Sequence, residues 1–404
     1  MTGDEPQALT DCLVGEVPIA VRAIDLERLA PSIEVHTDGR YRHLAALIRM
    51  AGRPLGWVSL PVTPDGRAPT GSTLAALADR QQRQEWKTQL PDERGPHISV
   101  VVATCRHATA ATGCVEAILD AAGERCEAIV VENRPGHSTV ESALRLRFGP
   151  DPRVRYLEEA RPGLSSARNA GLRAARGEIV AFTDDDVTVD RNWIDFLLAA
   201  FAEDDVDCVT GLIAPLELET PAQLLIERFA GYGKGFQRRA YSLAEPPIDQ
   251  PLFPYAAGHF VSGANIAFRT EALRALGGFD EALGTGTPAR GCEDLDVAIR
   301  LLLAGGRLLY EPAATVWHRH PRLPGGAHRR VFDYGAALGA MLTKHILGSD
   351  RRNILTKAPR AVAYWFDPSA RKNAGRGSLP RRLLALELAG LLYGPLAYAI
   401  SRAR

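Results

Sequence analysis

Between His97 and Asp186 the chain alternates two textures, and this alternation constrains its fold more than any other feature. Ile98–Ala103 is a β-branched, apolar run that ends at Thr104-Cys105-Arg106, and a helical stretch follows over Thr112–Ala122. Cys126–Val131 is a second such run, closed by the polar turn Glu132-Asn133-Arg134-Pro135-Gly136. Helix Val140–Arg147, strand Val154–Leu157, helix Ser165–Ala175 and strand Ile179–Thr183 are predicted next. Strands alternating with helices predict an α/β unit: a mostly parallel sheet with right-handed crossovers, flanked by helices. Ligands of such sheets sit beyond the C-terminal strand ends. Those ends carry Glu132, Asn133 and Asp184-Asp185-Asp186, so position and chemistry agree.

Three zones differ in texture. Residues 1–94 read as a small N-terminal α+β accessory module. Val17–Val21 and Pro54–Pro61 are short apolar runs, Gly52-Arg53-Pro54 and Pro64-Asp65-Gly66 are turns, and helices are predicted over Tyr41–Met50 and Leu74–Leu90. Residues 95–322 form the α/β unit. Residues 323–404 read as a helical extension, with an apolar Gly/Ala-rich helix over Val331–Leu347, a basic linker over Arg371–Arg382 and an apolar segment over Leu383–Ile400. The length of 404 residues suits two domains, or one large domain with extensions. A net charge of zero leaves no global field to draw nucleic acid. Cys12, Cys105, Cys114, Cys126, Cys208 and Cys292 include no C-x-x-C pair and read as reduced thiols of a cytoplasmic protein. Met1–Glu16 is acidic and has no apolar run, which argues against a secretory signal.

Asp184-Asp185-Asp186 is the strongest local signal. Three adjacent carboxylates repel unless a cation offsets them. Residues 184 and 186 share one face of an extended backbone, and such oxygen ligands suit Mg²⁺ or Mn²⁺. One Asp would also serve as a helix N-cap, a part for which Asp190 is better placed. Glu293-Asp294 opens a second helix, and there a cap and a general base are equally open. His318 and His320 alternate around Arg319, a spacing fit for a metal or a diphosphate. Arg161–Gly171 is a turn running into a helix start, where free N–H groups and Arg168 suit phosphate oxygens. Val261–Asn265 offers small residues for close backbone approach.

These motifs, taken in order, resemble the family 2 glycosyltransferases of the GT-A fold. They are Ser99–Thr104, Val130–Asn133, Gly163–Gly171, Asp184–Asp186, Ser262–Asn265, Gly277–Asp280, Glu293-Asp294 and Trp317–His320, spread over a little more than half the chain. The resemblance implies a GT-A type, Rossmann-like sheet. It implies a hexosyltransferase-like enzyme that moves a sugar, with inversion, from a nucleotide-diphosphate sugar to an acceptor hydroxyl, dependent on Mn or Mg. Asp186 would bind the metal, with Asp184 nearer the ribose and His318 or His320 near metal and diphosphate. Asp294 would be the general base and Glu293 would position the acceptor. Thr104, Asn133, Arg161, Arg168, Asn169 and Asp185 would line the nucleotide-sugar pocket. Glu132 stands where the family usually has an Asp against the base. Gly263, Ala264 and Asn265 would lie near the sugar or acceptor. Acceptors of cell-envelope, polysaccharide or natural-product glycosylation all fit, whether lipid-linked, saccharide, peptide or small metabolite.

Rival readings leave traces too. A nucleotidyltransferase would show a Gly-rich loop after its first strand, and Thr104–Ala108 has no Gly. A non-catalytic nucleotide-sugar binding module would have eroded carboxylates, and they are intact. A dinucleotide dehydrogenase would need G-x-G-x-x-G there. Leu383–Ile400 is near the lower length limit for a membrane span, with Glu387 against one and Gly390, Gly394 and Pro395 as breaks. Two readings stay open: a helix packed on the catalytic unit, and peripheral contact of 371–400 with anionic lipid at the inner face of the plasma membrane.

Overall fold

The structure is a computed structural model that describes residues 9, 13, 17–35, 39–82, 97–105, 107–133, 136, 139–203, 205–230, 232–366 and 381–404. The expected helix beyond residue 82, the turn residues Arg134 and Pro135, and the linker at 371–380 lie outside the described residues.

Along the chain run β1 (Ala20–Asp25), β2 (Ser32–Glu34), β3 (His43–Met50), β4 (Arg53–Pro61), β5 (Arg67–Pro69) and α1 (Gly71–Gln82). Then come β6 (Ile98–Thr104), α2 (Ala108–Ala122), β7 (Cys126–Asn133), α3 (Val140–Phe148), β8 (Val154–Glu159), α4 (Leu164–Ala174), β9 (Ile179–Asp184), β10 (Val187–Val189) and α5 (Trp193–Phe201). They are followed by β11 (Cys208–Pro215), α6 (Pro221–Ala230), β12 (Arg239–Tyr241), β13 (Ile266–Arg269), α7 (Thr270–Ala275), α8 (Glu293–Leu303) and β14 (Leu308–His318). The last three are α9 (Pro324–Leu347), α10 (Arg351–Phe366) and α11 (Arg381–Arg402).

The central sheet has the order β10-β14-β11-β13-β9-β6-β7-β8, with β12 also on β14. It is parallel through β9-β6-β7-β8, as the alternating sequence requires. β11 and β14 are parallel too, while β13, β10 and β12 enter antiparallel. Helices cover both faces, so β6 reads as a continuous apolar run. Ile98, Val100 and Val102 pack towards α2 and α5, whereas Val101 and Ala103 pack towards α4 and α8. The helix α4 lies so close that a Cβ on Gly171 would stand 2.3 Å from Val101 Cγ1, which only glycine tolerates.

The segment predicted as a helix over Tyr41–Met50 is instead β3, the middle strand of a sheet ordered β1-β3-β4. Its two faces explain the misreading. Leu44, Ala46, Ile48 and Met50 pack into the core of this small sheet. Ala45 and Leu47 pack the other way, with Ile19 and Trp57, onto Leu212 and Leu218 beside the large sheet. A strand buried on both faces loses its two-residue period and looks like a buried helix. Arg49 ties the sheets together, donating to Asp25 Oδ1 at 2.8 Å and Asp190 Oδ2 at 2.6 Å. Asp190 Oδ2 is therefore spent there, while its Oδ1 accepts from Asn192 N at 3.4 Å before α5, and Asn192, the N-cap residue, makes no side-chain cap.

Helix α11 is continuous, so Gly390 and Gly394 are contact points and not the breaks the sequence predicts. A Cβ on Gly335 of α9 would lie 2.0 Å from Glu387 O, and one on Gly390 would lie 2.2 Å from Phe332 O. Gly339 and Gly394 meet in the same way one turn on. Two small-x-x-x-small stripes thus bring the helix backbones together.

Candidate functional site

Strand register assembles the site. Thr104 stands opposite Glu132, and Ala103 opposite Asp184, so the C-terminal ends of β6, β7 and β9 are level. Across the sheet β10 pairs antiparallel with β14, which sets His318 opposite Val187 and beside Asp186. The ligand atoms of Asp184, Asp186 and His318 all lie within 4.8 Å of one another. His318 Nε2 is 3.4 Å from Asp186 Oδ1. Burial and the neighbouring Asp184 and Asp185 push Asp186 up to about 7, the mutual repulsion of a buried acidic cluster. Burial, His320 and Arg330 hold His318 well below its ordinary value, so it is the neutral imidazole that metals bind. Two carboxylates and one imidazole fit a divalent cation, and the nitrogen suits Mn²⁺ better than Mg²⁺.

His320 is not the partner ligand that alternation allows. Its Nε2 is 2.7 Å from the buried Glu227 carboxylate and its Nδ1 faces His318 Nδ1 at 3.2 Å, so it braces His318 from behind. Tyr232 stacks on both imidazoles and is itself 2.7 Å from the Tyr334 hydroxyl. Asp185 also turns away, accepting from Thr104 Oγ1 at 2.6 Å with His107 Nδ1 at 3.1 Å.

Arg168 holds the other half of the site. Its guanidinium is 2% exposed and donates to Glu293 Oε1 at 2.8 Å, Asp184 Oδ1 at 3.0 Å and Gly263 O at 2.9 Å. It is thus consumed inside the protein and does not reach for phosphate as the sequence predicts. Gly263 N donates to Asp294 Oδ2 at 2.6 Å. A Cβ on Gly263 would stand 2.6 Å from Arg168 Nη1 and 3.1 Å from Asp294 Cβ, so this glycine serves Arg168 and Asp294. One chain of contacts therefore runs Asp184–Arg168–Gly263–Asp294. The N-cap of α8, Cys292, sits at φ 64° and makes no side-chain cap. A non-glycine residue in that conformation is strained, and here it turns Glu293 and Asp294 inward. Burial and Asp294 push Glu293 up to about 7, against the pull of Arg168.

Several predicted contacts prove to be scaffolding. Asn265 is fully buried and satisfied, accepting from Trp193 Nε1 at 2.9 Å and donating to Leu212 O and Ala314 O. Ala264 is a core residue whose carbonyl accepts from Thr183 Oγ1. Asn169 bonds both N and O of Phe279. Asn133 accepts from Gly163 N and donates to Arg161 O, so it shapes the loop before α4. Arg161 pairs with Glu281. The start of α4 is covered as well, because Leu164 N is bonded to Thr285 O. These side chains are polar since they staple loops, a job that sequence cannot tell from ligand contact. Glu132 differs: it is buried, Oε2 accepts from Tyr156 Oη at 2.6 Å, and Oε1 has no partner among the described residues.

The sequence reading missed Arg330, Tyr334 and Tyr232. The charge of Arg330 acts on both Asp186 and His318. It stands on α9, 144 positions from Asp186, and only the run His328-Arg329-Arg330 marks it locally. A cavity of about 320 Å³ lined by His97, Glu127, Arg153 and Arg176 opens at the N-terminal ends of β6 and β7, the wrong end of the sheet for this chemistry.

Comparisons with known proteins agree with the motifs. Residues 99–277 match the model of glycosyl transferase family 2. The pre-mycofactocin glycosyltransferase of Mycobacterium tuberculosis is 34% identical over 216 residues, which are 53% of this chain and 42% of that one. Polypeptide N-acetylgalactosaminyltransferase 8 of Drosophila melanogaster is 23% identical over 273 residues, 65% of this chain and 43% of that one. The chain thus spans less than half the length of these relatives. Among solved structures, the mannosyltransferase PcManGT from Pyrobaculum calidifontis in complex with GDP-Man and Mn²⁺ superposes with a TM-score of 0.48 at 22% identity, over 81% of this chain and 91% of that one.

Proposed function

We propose that the protein is an inverting, divalent-metal-dependent glycosyltransferase that uses a nucleotide-diphosphate sugar. The observation that carries this reading is the convergence of Asp184, Asp186 and His318 within 4.8 Å, with Asp184 linked through Arg168 and Gly263 to Asp294. Those three residues would hold the metal, which supplies Lewis-acid stabilisation to the departing diphosphate.

The chain's own residues do the rest. Asp294 Oδ2 is fixed by Gly263 N, which orients the carboxylate while leaving lone pairs for an acceptor proton. It takes that proton as the hydroxyl attacks the anomeric carbon from the face opposite the leaving group. A single base with direct displacement gives inversion, without the second, nucleophilic carboxylate of a retaining glycosidase. Glu132 Oε1, buried and without a partner among the described residues, is set to accept an N–H from the nucleotide base. Arg330 adds positive charge on the metal side, where the diphosphate gathers negative charge.

Calorimetry with UDP, GDP, dTDP and CDP, each with and without Mn²⁺, tests this reading. One nucleotide should bind in a metal-dependent manner, and Asp186→Ala should abolish the dependence. A folded protein that binds none of the four overturns it.

A further inference from the structure

Between its terminal arginines, the outer face of α11 has no polar residue among those described. Between Arg382 and Arg402, every exposed residue among those described is apolar: Leu384, Leu392, Pro395, Leu396, Ile400 and three alanines. Leu392 is 81% exposed and Leu396 57%. A surface helix facing water normally carries charges on that side. Here the charges stand at the two ends, in Arg382 and in Arg402 and Arg404, and the only acid of the helix, Glu387, is buried.

What covers this face is indicated by charge. Residues 351–404 contain eleven Lys and Arg against only Asp367 and Glu387, a surplus of nine, in a chain whose total is zero. The first 350 residues are therefore acidic by the same amount, and the positive charge is concentrated in the segment of sequence that carries the apolar helix. Arg351, Arg352 and Arg360 of α10 are exposed as well. An apolar face with exposed arginines at both ends matches a bilayer that is negatively charged at its surface and apolar beneath.

The mode of contact follows from the packed side. By length and composition Arg382–Arg402 could cross a membrane. But its inner face is locked to α9 through the glycine contacts, with Leu383 packed against Val331 and Phe229, and Ser401 Oγ accepts from Ala289 N at 3.3 Å. Lipid cannot surround a helix whose backbone touches a neighbouring helix and whose end is bonded to a loop of the α/β unit. We infer that α11 lies in the plane of an anionic lipid surface, with its outer face seated among the lipids and its arginines at the headgroups.

Co-sedimentation of the full chain with vesicles tests this, using phosphatidylcholine alone and phosphatidylcholine mixed with phosphatidylglycerol. Binding to the anionic vesicles should be about tenfold stronger or more and should weaken with salt. The double variant Leu392→Glu/Leu396→Glu should lose about tenfold in vesicle binding, while its circular dichroism and nucleotide binding stay those of the parent. Equal vesicle binding by the double variant overturns the inference. So does a parent chain that ignores both vesicles and forms a dimer in sedimentation velocity that the variant does not, since a second copy then covers the face.

Discussion

Removing Arg168 perturbs the centre of the site without replacing any proposed metal ligand, although it frees Asp184 of one partner. In Arg168→Met the buried guanidinium disappears, and with it the bonds to Glu293, Asp184 and Gly263 O. The Glu293 side chain, 6% exposed, is then left without its cation, whereas Asp184 at 30% keeps part of its hydration. Breaking a buried pair from one side costs about 3–5 kcal/mol. That is a large part of a total stability on the order of 5–15 kcal/mol. Glu293 is already pushed up to about 7 by burial and Asp294, so without Arg168 it is expected to rest protonated at neutral pH. Because Gly263 also holds Asp294, the base should drift, and a displacement of about 1 Å costs roughly a hundredfold in turnover. Urea unfolding followed by tryptophan fluorescence measures the first effect and single-turnover transfer the second. Arg168→Lys should fall between, since one ammonium cannot serve three acceptors in a fork. If Arg168→Met stays within about 1 kcal/mol of the parent and turns over normally, Arg168 is not the link described.

Asp294→Asn should leave nucleotide binding intact and lower turnover by about 10²–10⁴-fold, the usual worth of a general base; calorimetry beside a transfer assay reads both, and normal turnover removes Asp294 from the mechanism. Gly335→Val should destabilise the protein by about 1–3 kcal/mol or more, because its side chain meets the Glu387 carbonyl of α11; an unchanged thermal midpoint would contradict the close helix contact. Stability should also depend on pH through the buried pair of Asp296 and His345, whose Oδ1 and Nε2 are 3.2 Å apart. Burial raises Asp296, but His345, Arg300 and Lys344 overcome it and hold the acid well below its ordinary 3.8, so its contribution is present above that value and fades as the pH falls below it. Burial lowers His345, but Asp296 and Asp350 overcome it and hold the imidazole above 6.5, so its contribution is present below 6.5 and is lost as pH rises through the raised value. The thermal midpoint should therefore decline on the alkaline side, and His345→Gln should flatten that decline; a parent profile with no alkaline decline would refute the assignment.

Sequence by itself determined the sheet and the place of the chemistry. The alternation from Ile98 to Asp184 could fold only as parallel strands with crossovers, and the polar residues at the strand ends marked where a ligand sits. It also singled out Asp184, Asp186 and the pair His318 and His320, because a run of carboxylates or a paired histidine is conspicuous wherever it stands, whereas Asp294 came with the family resemblance. Tertiary structure alone decided how those residues divide their work. His318 faces Asp186 while His320 turns to Glu227, a choice fixed by α6, some ninety positions away. Asn265, Asn169 and Asn133 look like ligand contacts in sequence and are staples, since an amide bonds whatever donor or acceptor the packing brings to it. The helix misread over Tyr41–Met50 has the same origin: burial on both faces is a property of what packs against a strand. Arg330 and the apolar face of α11 became visible once α9 was placed, because contacts between distant segments leave no period and no spacing in the chain.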